Sequence, residues 1–204
     1  MMSGKDAFRI YSINHTDMDK IQESFLGKWE SITLETRPNA WGGKNYLKRF
    51  FHNTEKEAIG TLVFYTDGTG DQLNLTLSVI GPYHFGHASK DVPGAIEADF
   101  DFTRFVVIPH SEMMVEMLNK SRPPASKLKE WKTNQSQTID AGIEEGIFGM
   151  VIGNYKEYDL VKVEKDLLYY GERPADGSSP DNPEKRAKGL QVPLKKVKEF
   201  SIKI

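Results

Sequence analysis

The sequence predicts a mainly β fold: an antiparallel barrel of about 8–10 strands with short helices. Three observations lead there. Leu73, Leu75, Leu77 and Val79 alternate with Gln72, Asn74, Thr76 and Ser78, the period of a strand with one apolar and one polar face. Short runs rich in aromatic and β-branched residues recur between turn signals such as Asp67-Gly68 and Gly81-Pro82. Helical spacing is confined to brief stretches.

In chain order, residues 1–14 read as an arm. Thr16 as cap, with Met18, Ile21, Phe25 and Leu26 at helical spacing, predicts a short helix ending near Gly27. Trp29–Thr36 reads as a strand with Ile32 and Leu34 on one face, broken by Arg37-Pro38-Asn39 and Gly42-Gly43. Tyr46–His52 and Gly60–Tyr65 follow as strands, then the alternating run that Gly81-Pro82 ends. Ile96–Ile108 reads as one long strand, with Phe100, Phe102, Val106, Ile108 and also Arg104 on the same face. Met113, Met114, Met117 and Leu118 fit a helix or a continued strand, and Ala125–Trp131 a helical turn. Ile147–Ile152 is apolar on both faces, so strand and helix both stay open. Tyr158–Val163 and Leu167–Tyr170 form a hairpin, Arg173–Lys188 an exposed loop, and Leu190–Val197 a last strand before a solvated tail. The economical organisation is a single domain over 1–204, with an N-terminal helical arm and a long loop at 173–188.

Composition narrows the functional classes. The 204 residues carry a formal net charge of −2, and the basic residues form no block, so no nucleic-acid footprint is expected. The absence of cysteine excludes disulfides, thiolate chemistry and Cys-based zinc sites. No stretch approaches the roughly 20 apolar residues of a membrane-spanning helix, and no signal-peptide core opens the chain; a cytoplasmic protein is the expectation. No cofactor is expected, and the oligomeric state is left open. Asp67-Gly68-Thr69-Gly70 lacks the Lys-Ser/Thr of a phosphate loop.

Four groups of residues bear on chemistry. Tyr83-His84-Phe85-Gly86-His87 offers two imidazoles for a metal or for acid/base work, with His52 or His110 as third ligands; exposed or hydrogen-bonded histidines are the simpler reading, and no metal is expected. Glu97, Asp99 and Asp101 alternate as on a solvated face. The Met113, Met114 and Met117 cluster reads as core or as a deformable lid. Arg104 is the sharpest case, because a guanidinium on an apolar face needs an anion. It would meet the acidic head of a ligand while Phe100 and Phe102 line its apolar part. The alternative is an Asp or Glu partner, or a register that turns Arg104 outward.

A short helix followed by Gly27-Lys28-Trp29 at the head of many antiparallel strands resembles the lipocalin-like, or calycin, β-barrels. The run Leu167-Leu168-Tyr169-Tyr170-Gly171-Glu172-Arg173-Pro174 before a loop and Leu190 resembles the end of bacterial members. The resemblance implies that Trp29 crosses the closed end of the barrel under a basic side chain, for which Arg186, Lys195 and Lys196 are candidates. It also implies an interior that holds a small, largely apolar molecule, acidic or neutral. The expected ligand-binding residues are Leu73, Leu75, Leu77, Phe100, Phe102 and Arg104. The alternative is an enzyme on such a barrel (an isomerase, cyclase, dehydratase or lyase) for a small hydrophobic substrate, drawing on Tyr83, His84, His87 or Arg104. A third is an interaction protein that uses the loop 173–188 or the tail.

Overall fold

A computed structural model describes residues 15–38, 43–122, 126–140, 145–147, 150–152, 155–174 and 178–202. The expected arm at 1–14 and the Pro123-Pro124 break lie outside the described residues. Helix α1 (His15–Phe25) ends where Gly27, at φ +113°, takes a conformation that costs glycine little. The strands β1 (Gly27–Ser31), β2 (Glu35–Pro38), β3 (Lys44–Asn53), β4 (Ala58–Tyr65), β5 (Leu73–Gly81), β6 (Tyr83–Ala88), β7 (Ile96–Phe102) and β8 (Arg104–Pro109) follow. Helix α2 (Glu112–Ser121) is capped by Ser111 Oγ, which accepts from the Met114 amide at 3.1 Å. The chain closes with β9 (Gln137–Asp140), β10 (Glu145–Ile147), β11 (Met150–Ile152), β12 (Tyr155–Glu164), β13 (Leu167–Tyr170), a 3-10 turn at Pro183–Lys185 and β14 (Leu194–Val197).

The fold is mainly β. One antiparallel sheet curls into a half-barrel in the order β6-β7-β12-β13-β14-β1-β3-β4-β5-β8-β9, with β2 on β3 and β10-β11 a separate hairpin. The curl is turned by the ribbon 73–109. Here β5 runs into β6 across Gly81-Pro82, and β7 into β8 across Thr103, so the same two segments serve both ends of the sheet. Pairing persists through the bend: the Asp101 amide donates to the Pro82 carbonyl at 2.9 Å and the Thr103 amide to the Ile80 carbonyl at 3.0 Å. Gly81 is required there, because a Cβ would collide with the carbonyl oxygen of Asp101.

The ladders place Trp29, Phe51, Gly60, Val79 and Phe105 on successive rungs of the concave face, and Arg49, Leu62, Leu77 and Val107 on the neighbouring row. The interior core gathers Phe25, Trp29, Phe100, Phe102, Phe105, Met114, Leu118, Trp131 and Tyr170. Phe25, at the end of α1, packs edge-on to Tyr83, Phe85 and Tyr170, which closes one side of this core. Trp29 is fully buried; its Nε1 donates to the Phe25 carbonyl at 2.9 Å, and Lys196 Nζ lies 5.0 Å from its ring centroid. Of the three basic candidates, Lys196 is the one over the ring. Arg186 instead bonds Asp99 at 2.7 Å and covers Tyr158, partly covering the β7 face expected to be solvated.

Several expectations need correction. The run 29–36 is two strands, because residues 32–34 leave the ladder and Ile32 is 51% exposed. The run 96–108 is also two strands. The break at Thr103 resets the alternation, so Phe105 and Val107 face inward, not Val106 and Ile108, and Arg104 does not share the face of Phe100 and Phe102. Gly81-Pro82 ends β5 as expected, and β6 starts directly after it, with the bend between the two. No helical turn forms over the described residues 126–131, where Asn119 grips the Trp131 backbone through its amide and carbonyl. The last strand starts at Leu194, just after Pro193. The tail is docked: Phe200 and Ile202 pack on Phe50, Val63 and Tyr65 on the outer face, and the Ser201 amide donates to Glu30 at 2.7 Å.

The bend yields a test. Gly81→Ala should destabilise the protein by more than about 2 kcal/mol in urea unfolding, since backbone must move to admit the methyl group. An unchanged midpoint would show that the close approach at Asp101 does not constrain the fold.

Candidate functional site

The curled sheet encloses a cavity of about 300 Å³. Its apolar wall comes from alternate residues of five strands: Phe51, Leu62, Phe64, Leu77, Val79, Phe100, Phe102 and Phe105. Its polar side is built by Arg37, Arg49, Tyr155, Glu157, Asp159, Tyr170, Arg173 and Gln191, with Ser178, Ser179 and Pro180 of the long loop across it. The Tyr158 amide donates to the Pro180 carbonyl at 2.8 Å, which ties this loop to β12.

Charges in such a place need partners. Arg49, 3% exposed, bonds Glu35 through Nε at 2.7 Å and the Val192 carbonyl at 2.7 Å. Arg37 bonds Glu35 at 2.8 Å and Gln191 at 2.6 Å. Burial pushes the Glu35 carboxyl up, but Arg49, Ser31 and Arg37 together hold it below the usual carboxylate range. Arg173 pairs with Glu157 at 2.6 Å.

Asp159 is different. Its Oδ1 accepts from the Leu160 and Gly171 amides, both at 2.7 Å, while its Oδ2 is buried with no hydrogen-bond partner among the described residues. Burial first, and then the neighbouring Glu157 carboxylate, push this carboxyl up to about 7, against the pull of Arg173 and the Leu160 amide. Gly171 cannot carry a side chain here, because a Cβ would meet Asp159 Oδ1 and Ala187. Burial likewise raises the Tyr155 and Tyr170 phenols, so both stay protonated donors.

The expected site residues fall into two groups. Leu77, Phe100 and Phe102 line the cavity, and Leu75 is 5% exposed in the adjoining core. Leu73 and Arg104 lie elsewhere. A register shift between Phe64 and Tyr65 sets Leu73 opposite Tyr65, whose ring packs on the outer face, and leaves Leu73 43% exposed. Arg104 has a side chain 56% exposed and pairs with Asp140 of β9 at 2.7 Å, which is the outward register and acidic partner given above as its alternative. Tyr83, His84 and His87 are also outside this cavity: the Tyr83 hydroxyl donates to the Thr54 carbonyl at 2.9 Å, and both imidazoles are exposed. His110 bridges Thr76 and Asn134 at 2.9 and 2.7 Å. Among the described residues no group of three His, Asp or Glu converges to hold a metal. Met114 packs in the core, and Met113 is 59% exposed, so the cluster forms no lid over the cavity.

The residues the sequence reading missed are Glu157, Asp159, Arg173 and Arg49. The signal for the first two was present: Tyr155, Glu157, Asp159 and Val161 share one strand parity, with carboxylates among apolar neighbours. Starting the strand at Tyr158 hid that parity.

A curled antiparallel sheet holding a part-apolar, part-ionised cavity defines the class of this protein. The family model described as Adenomatosis polyposis coli down-regulated 1 matches residues 9–201, and the chain belongs to that family. No helix among the described residues is long and apolar enough to cross a membrane.

Two predictions follow from these charges. Arg49→Met should cost about 3–5 kcal/mol in denaturant unfolding by stranding Glu35, and adding Glu35→Leu should recover much of it. The Asp159 pKa is raised by folding, so the folded state holds the extra proton between about pH 4 and 7, and stability falls as pH rises through that window. Asp159→Asn, able to accept the same two amides, should therefore unfold several degrees higher (about 2–4 °C per kcal/mol) than wild type at pH 8. That advantage should vanish near pH 4, as read by thermal melts at both values.

Proposed function

We propose that this protein binds a small, largely apolar molecule in the cavity of its half-barrel. The observation that carries the reading is the cavity itself: about 300 Å³, walled by aromatic and aliphatic side chains, with polar groups along one side. Binding pockets commonly combine apolar walls with a few placed polar groups, and about 300 Å³ is the lower end of their usual volumes. The architecture is that of a calycin-like barrel, a relation supported by the buried Trp29 beneath Lys196 at the start of the first strand. The residues to which we assign the ligand are Leu77, Phe100 and Phe102, joined by Phe51, Val79 and Phe105; an acidic head on Arg104 forms no part of the proposal, since Arg104 is outside.

A second reading, catalysis on a small hydrophobic substrate, is favoured by Asp159. A cavity carboxyl held near neutrality suits proton transfer, as an isomerase, dehydratase or lyase needs. The groups for it would be Asp159, Glu157 and Tyr155, and neither histidine of the Tyr83–His87 segment.

An apolar fluorescent dye tests the binding reading. The wild-type protein should bind it, with an emission blue shift, and Leu77→Trp should weaken binding at least about tenfold by filling the cavity, with circular dichroism unchanged. Equal binding by both proteins would place the dye elsewhere and overturn the reading.

A further inference from the structure

Beside the cavity lies a second hollow of about 590 Å³, bordered by Ile32, Thr33, Leu34, Val192 and Pro193. Arg37, Arg173 and Gln191 line both spaces, so the two meet at these side chains. The charges at this neck are unevenly matched. Glu35 is one carboxylate serving two guanidiniums, its Oε2 accepting from Arg37 and its Oε1 from Arg49. Burial makes the Arg49 guanidinium a weaker base and Glu35 a stronger one, while the charge of Arg37 acts against it again. Arg173 is better matched, with Glu157 as its direct partner and Asp159 close by. The other carboxylate near the neck, Glu172, is exposed and lies along Gly189 at the edge of the second hollow. Arg37 is also reachable: its side chain keeps 28% of its surface, whereas Arg49 is 3% exposed. Its bonds to Glu35 and Gln191 both run from Nη2. A guanidinium carries five N–H donors in a planar fork that suits carboxylate and phosphate oxygens.

We propose that the molecule bound in the cavity carries an anionic head, a carboxylate or a phosphate monoester, which rests at the neck against Arg37 with its apolar chain directed inward. This rests on the cavity-binding reading and gives it a ligand class. An anion there supplies the second negative charge that Glu35 alone does not provide for Arg37 and Arg49. An alcohol would find a hydrogen bond and leave the charge unmatched, and an ammonium would add to the repulsion.

The test is competition against the apolar dye by octanoate, octyl phosphate, 1-octanol and octylammonium, which share a chain and differ in head. It is run at about pH 6, where Asp159 keeps its proton. At least one of the two anions should displace the dye about tenfold or more better than octanol and octylammonium, the discrimination that a charge-assisted hydrogen bond supplies. Octanoate leading identifies a carboxylate head and octyl phosphate leading a phosphate one, and both support the proposal. The quantity read in each variant is the ratio of anion to octanol displacement, so a change in dye affinity cancels. Arg37→Met should bring that ratio to within about twofold, because the remaining arginines keep their own carboxylates. Should Arg37→Met not fold, Glu35→Gln decides: it removes the competing carboxylate, and the ratio should rise at least about threefold, a gain that loss of structure cannot imitate. Octanol or octylammonium competing as well as both anions, no octyl compound displacing a bound dye, or an unmoved ratio in the deciding variant would overturn the proposal and leave the cavity reading standing. Failure of the dye itself to bind would overturn both.

Discussion

The close approach of Gly81 to the Asp101 carbonyl is the constraint on which the molecule depends. A long antiparallel ribbon cannot by itself enclose anything; it twists, and its two faces stay open. Here the ribbon 73–109 is bent where the chains touch, and its pairing continues through the bend. One half can then join β4 while the other joins β12. The concave face that results receives Phe100 and Phe102 from one side of the bend, and Phe105, Val79 and Leu77 from the other. The cavity therefore exists because two strands change phase at the same level, Gly81-Pro82 on one and Thr103 on its partner.

Enclosure sets the terms for the charges. Buried Arg49 has little water to fall back on, Arg37 and Arg173 reach solvent in part, and all three cavity arginines are met by a carboxylate within 2.8 Å. These pairs need not add net stability, because desolvation offsets much of the attraction. Their effect is positional: Glu35 ties β2 to β3 through Arg49, and Arg173 ties the long loop to β12 through Glu157. Asp159 breaks the pattern. It is held by backbone amides, which orient a carboxylate without neutralising it, and so it keeps chemical capacity that the paired residues have given up.

How far this was legible in the sequence depended on whether alternation ran unbroken. The β5 run and the β12–β13 hairpin could be read because their periods and turn signals are local, and Trp29 because Gly27-Lys28-Trp29 resembles the calycin motif. Arg104 could not, since Phe100-x-Phe102-x-Arg104 continues an apparent period through a residue that leaves the ladder. Leu73 failed for the same reason at the bulge opposite Tyr65. One extra residue reverses inside and outside, and nothing in composition marks it. Arg173 and Ser178–Pro180 were hidden differently: a polar, proline-bearing stretch reads as solvated loop, yet it lies across the cavity. The docked tail was missed because Phe200 and Ile202 are isolated apolar residues among lysines.

Reading Trp29 beside Asp159 separates two kinds of buried polar commitment. Trp29 has a single donor, satisfied by Phe25 within its own neighbourhood, and a cation above its ring; it asks nothing of any further molecule. Asp159 is held through Oδ1 by two backbone amides, and beside Glu157 its carboxyl keeps a proton up to about pH 7. The residue lines the cavity next to Glu157, and burial of the pair holds its proton on. Gly171 sharpens the point: a side chain there would displace the carboxylate, so the backbone is shaped around Asp159 and not merely tolerant of it. The fold spends a glycine to hold the Asp159 carboxyl beside Glu157 at the edge of an apolar cavity.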